Sequence, residues 1–130
     1  MDQEPLVIEQ VDAGAKFLGE FEREIPVTAA FWLKAREEDS WYLYVVSDRL
    51  NDNDLDVAYG GALRIANQMR NPYFDPFQVK LIKPGHALAK AALEVLRRFP
   101  GRMATRLHRK NFGGVGVDEA YIYPTPITVP

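Results

Sequence analysis

The stretch VTAAFWLKAREEDSWYLYVVSD constrains the fold of this chain more than any other. Two runs rich in β-branched and aromatic residues, Val27–Arg36 and Ser40–Ser47, flank the polar turn Glu37-Glu38-Asp39. That is a hairpin pattern. A hairpin this apolar is not stable alone, so further strands and helices must cover it.

The flanking sequence supplies them. Val7, Val11, Ala15, Leu18 and Phe21 recur at helical spacing and predict a helix over residues 7–22, closed by Pro26. After the hairpin, Asn51-Asp52-Asn53-Asp54 is turn chemistry, and Asp52 or Asp54 is expected to cap the next helix. Leu55, Ala58, Tyr59, Ala62, Ile65, Ala66 and Met69 mark the inner stripe of that helix, which Asn71-Pro72 closes. Gly60-Gly61 inside it costs roughly 1 kcal/mol each against Ala, so a closely packed neighbour is expected there. Residues 76–82 read as a short strand. A third helix opens after Pro84-Gly85, carries Leu88, Ala91, Ala92, Val95, Leu96 and Phe99 inward, and stops at Pro100-Gly101. Two last strands, residues 102–108 and 115–123, form a hairpin around Gly113-Gly114.

The expected architecture is α+β, order αββαβαββ. About five strands in a mostly antiparallel or mixed sheet carry three helices, in one domain over residues 1–130. Residues 1–5 are expected to be disordered and the proline-rich tail, residues 124–130, extended. Leu18, Phe31, Leu43, Leu63, Leu81, Val95 and Leu107 are the expected core.

Composition excludes several classes of chemistry. The chain has no cysteine, which removes disulfides, thiolate catalysis and cysteine-based metal sites. No run is long and apolar enough to predict a membrane span, and the acidic N-terminus lacks the basic flank of a signal peptide. A cytoplasmic location is the simplest expectation. The net charge of −2 hides a division: residues 1–60 hold fourteen acids and five bases, residues 61–130 four acids and eleven bases. Such halves complement each other within the fold or across a subunit contact, and the basic half also suits an anionic partner.

Strand alternation selects the binding candidates. In the strand expected over residues 102–108, Met103, Thr105 and Leu107 point one way and Arg102, Ala104, Arg106 and His108 the other. If helices cover one face of the sheet, the open face collects Trp32, Lys34, Tyr42, Tyr44, Lys80, Arg102, Arg106, His108 and Tyr121. Rings interleaved with cations stack on bases and meet phosphates in single-stranded nucleic acid. Aromatic residues also populate sheets for cross-strand packing, and the isoelectric point near 5.7 argues against a dedicated nucleic-acid binder. An aromatic patch equally suits a two-fold dimer contact.

The remaining constellations are thin. Phe112-Gly113-Gly114-Val115-Gly116 precedes a strand where a phosphate loop requires a helix, so it reads as a turn. Asp48, Asp52 and Asp54 offer carboxylates for Mg²⁺, but Val57 and Leu63 stand where a calcium loop needs Gly and Glu. His86 reads as a surface residue, and His108 with Asp118 or Glu119 as a surface pair with no nucleophile beside it. No motif implies a cofactor. The leading expectation is a non-catalytic protein-interaction domain that forms a homodimer. Nucleic-acid or phosphate-ligand binding comes second, and a Mg²⁺-dependent phosphoryl-transfer enzyme third.

Overall fold

A computed structural model describes residues 6–36, 40–99 and 104–124. Helix α1 spans Ile8–Glu22 and α2 Leu55–Met69, while α3 spans Ala87–Arg98. The strands are β1 (Ala29–Ala35), β2 (Tyr42–Val46), β3 (Val79–Ile82), β4 (Thr105–Phe112) and β5 (Val115–Ile122). They form one five-stranded sheet in the order β3-β2-β1-β5-β4. Only the β2–β3 pair is parallel, joined through α2, so the sheet is mixed and the class is α+β as the sequence implies. The turn at residues 37–39, the N-terminal residues 1–5 and most of the proline-rich tail lie outside the described residues.

Both faces of the sheet are covered, which corrects the expectation of one open face. Strands alternate, so β1 sends Ala30 and Trp32 to one side and Ala29, Phe31 and Leu33 to the other. On the first side Trp32 packs with Leu43, Val45 and Leu81 of the sheet, Phe17 and Leu18 of α1, and Ile65 of α2. On the second, Phe31, Val46 and Ile122 pack with Leu88, Ala89 and Ala92 of α3. β1 and β2 are apolar on both sides because each side carries its own core.

Two details of the helices depart from the sequence reading. In α2 the buried stripe is Ala58, Ala62, Ile65 and Ala66, and Leu63 is 40% exposed. Leu63 follows Ala62 by about 100° around the helix, beyond the edge of the stripe. Phe99, expected inward, is exposed at the C-cap position just past the end of α3. Leu18, Phe31, Leu43 and Leu81 are buried as expected, whereas Val95 and Leu107 are half-buried on the α3 side.

Caps also differ. Among the described residues neither Asp52 nor Asp54 accepts a backbone N–H. Asn51 does, from Asn53 at 3.0 Å, while Asp56 accepts from Val57 at 3.0 Å and Asp52 pairs with Lys83 at 2.8 Å. His86 caps α3, its Nδ1 accepting from the Leu88 N–H at 3.1 Å. Asp75 holds Pro76–Gln78 in a 3₁₀ turn, which delays β3 to Val79.

The last hairpin is longer than its sequence signals. Phe112 pairs with Val115 directly, so residues 109–112 extend β4 instead of forming a loop. The two-residue turn requires positive φ twice, and Gly113 and Gly114 adopt 61° and 83°. A Cβ on Gly113 would stand 2.6 Å from the Ala87 carbonyl oxygen, so this turn is tucked against the start of α3.

Candidate functional site

The helices leave opposite ends of the sheet uncovered, and this divides the predicted patch. Residues directly opposite in an antiparallel pair share a face. Trp32 stands opposite Leu43, and Tyr42 opposite Leu33. Tyr42 and Tyr44 therefore belong to the α3 side and Trp32 to the α1 side, and no single surface unites them. Trp32 is fully buried and unavailable to any ligand. The expected dimer contact through Trp32, Tyr42 and Tyr44 fails on this point.

On the α3 side the uncovered end is β2–β3. Lys80 sits 4.8 Å above the Tyr42 ring, and Tyr44 stacks on Phe31 at 5.2 Å, half in the core. On the α1 side the uncovered end is β5–β4. Tyr121 lies opposite Arg106, whose guanidinium sits 4.9 Å over its ring, and His108 lies opposite Glu119. Burial pushes the Tyr121 hydroxyl above the usual tyrosine range, opposed by the charge of Arg106 and reinforced by Asp12. Arg102 lies outside the described residues.

An irregularity in β5 sets the charges of this strip. Lys34 pairs with Glu119 but Ala35 with Val117, leaving Asp118 as an extra residue. Asp118 meets the Lys34 ammonium at 3.2 Å, and that lysine is only 3% exposed. Arg36 reaches the same carboxylate at 4.0 Å, and Glu119 accepts from Arg106 at 3.2 Å. Lys34, Arg36 and Arg106 thus each have a carboxylate beside them, which weakens their pull on a phosphate.

The acidic loop forms no cation cage. Among the described residues no three His, Asp or Glu side chains converge. Asp52 is engaged by Lys83, and Asp48 lies 4.0 Å from Arg49.

A surface that sequence reasoning missed lies on α2. Asp56, Val57, Gly60, Leu63 and Arg64 form one outward stripe at helical spacing. Val57 is 70% exposed, and a Cβ added to Gly60 would meet nothing within 4 Å. The neighbour expected at Gly60 is absent among the described residues, and Gly61 faces only the Glu24 and Arg64 side chains. An open cavity of about 600 Å³ runs from Gly60 past Leu63 and Asn67 to Arg70. The Arg64 Nη2 is bound to both Glu24 oxygens at 2.6 and 2.7 Å, which fixes it on the rim of the stripe. The turn that carries Phe77, 81% exposed, packs beside α2. The signal in the sequence was the costly glycine pair itself.

No family model, curated protein or solved structure matches this chain. Among the described residues no helix is long and apolar enough to cross a membrane.

Proposed function

We propose that this chain is a non-catalytic protein-interaction domain that pairs with a second copy of itself through α2. One observation carries the reading: the exposed stripe is complementary to itself. In an antiparallel pairing of two α2 helices about a two-fold axis at Gly60, each Val57 faces the partner's Leu63. Each Asp56 then faces the partner's Arg64, and the two glycines meet where the backbones come closest. The glycine that costs stability in an isolated helix is accounted for by that approach. Exposed apolar side chains rimmed by charge are the usual composition of such contacts.

Sedimentation tests it. The chain alone is 14.8 kDa, and a species of twice that mass at micromolar concentration is expected. Gly60→Ala should stabilise the folded chain by about 1 kcal/mol, because the site is open within one subunit. Gly60→Glu should yield a folded monomer. A wild type that sediments at 14.8 kDa, or a Gly60→Glu variant that remains dimeric, overturns the proposal.

The rival reading, a phosphate or nucleic-acid ligand on the β5–β4 strip, draws on Arg106 over Tyr121. The carboxylates of Asp118 and Glu119 beside its cations make it the weaker of the two.

A further inference from the structure

We infer that the outer edge of β4 receives an extended acidic segment of a partner protein, which adds to the sheet as a sixth strand. The two edges of the sheet are built differently. β3 has four residues, and its Leu81 N–H is already taken by the Tyr59 hydroxyl of α2 at 2.9 Å. That edge is short and plugged. β4 has eight residues and pairs with β5 on its inner side. Among the described residues nothing bonds to the backbone along its outer side, so a row of N–H and C=O groups faces outward.

The sequence of the strand selects the occupant. β4 reads TRLHRKNF, with Arg106, His108, Arg109 and Lys110 and no acid. A second copy of β4 laid antiparallel would set bases against bases, which keeps identical chains apart at this edge. Glu119, beside Arg106 at 3.2 Å, offsets part of this charge, and the excess that the strand still carries favours a partner strand with acids. Arg106 and His108 lie on the α1 side, while Leu107 is half-buried on the α3 side among the residues around Phe31. The complementary strand therefore alternates, carboxylates toward Arg106 and His108 and apolar side chains toward Leu107. An oligonucleotide meets the charges but has no peptide groups to offer the edge. Main-chain bonds give such an addition its affinity, and alternate side chains give it selectivity.

The probe is a blocked peptide of alternating glutamate and valine, as long as β4, followed by fluorescence anisotropy and by amide exchange of the protein. Saturable binding with slowed exchange confined to β4 amides is the expected result. Arg106→Glu should weaken binding by about tenfold, and Arg106→Gln, which spares the fold if the reversal does not, by about threefold. Equal binding of a lysine–valine peptide, or of a glutamate–valine peptide N-methylated along one edge, overturns the inference. So does preferential binding of oligothymidylate, or slowing of β4 exchange by raised protein concentration alone.

Discussion

Tyr123→Phe removes one oxygen from the place where α1 is fastened to the sheet. The Tyr123 hydroxyl accepts from the Trp32 indole N–H at 2.9 Å and donates to the Val11 carbonyl of α1 at 2.6 Å. Both rings are buried. The substitution strands a buried indole donor, which costs about 1–3 kcal/mol, while the packing of the ring is retained. A loss near 2 kcal/mol is expected, or roughly 8 °C in Tm for a chain of this size. Urea unfolding followed by tryptophan fluorescence measures it.

The same hydroxyl predicts an alkaline limb. Burial holds it protonated far above the ordinary tyrosine range, against the opposing bond from Trp32. In the unfolded chain it ionises near pH ~10. Its contribution is therefore intact below that pH and falls as pH rises further, by up to about 1.4 kcal/mol per unit. Tyr123→Phe should flatten that limb. Gly14→Ala completes a double-mutant cycle, because its Cβ would stand 2.4 Å from the Tyr123 oxygen and 3.1 Å from the Trp32 Nε1. Alone it should destabilise by about 1–3 kcal/mol through overpacking. In the Tyr123→Phe background the cost should shrink, since the nearest atom is gone. A Tyr123→Phe loss below about 0.5 kcal/mol, half the typical net value of one hydrogen bond, would refute the reasoning. Strict additivity with Gly14→Ala would do the same.

Three further pairs of substitutions test other parts of the structure. Gly113→Ala forces a side chain into positive φ and against the Ala87 carbonyl, so it should cost more than about 1 kcal/mol, whereas Gly114→Ala meets only the φ penalty; chemical denaturation of the pair separates the two. Asp118→Ala leaves the buried Lys34 ammonium without its 3.2 Å partner and should cost up to about 3 kcal/mol; Lys34→Met should cost less, because it removes the buried charge as well, and a reversed order in denaturant titrations defeats this account. His86→Ala deletes the cap of α3 and should lower stability by about 1 kcal/mol, with His86→Asn restoring most of it in the same measurement.

The order of elements was legible in the chain because it rests on local chemistry. Apolar spacing marked the three helices, the apolar runs around Glu37-Glu38-Asp39 marked the first hairpin, and Gly113-Gly114 marked the second. Caps were less legible, since Asn51, Asp52 and Asp54 are all competent acceptors, and Lys83, distant in sequence, engages Asp52. The exposure of Leu63 turned on one position around a helix whose alanine stripe already filled the space over the sheet. The candidate surfaces were the least legible. Alternation says that a strand has two faces; it does not say which face a helix covers, nor how neighbouring strands are aligned. The register that sets Trp32 against Leu43 and Tyr42 against Leu33 separated the aromatic residues, and the placement of α1 and α2 on one side and α3 on the other buried Trp32. Each strand position is fixed by its neighbours along the chain only to within that choice of side, and packing between distant segments makes the choice.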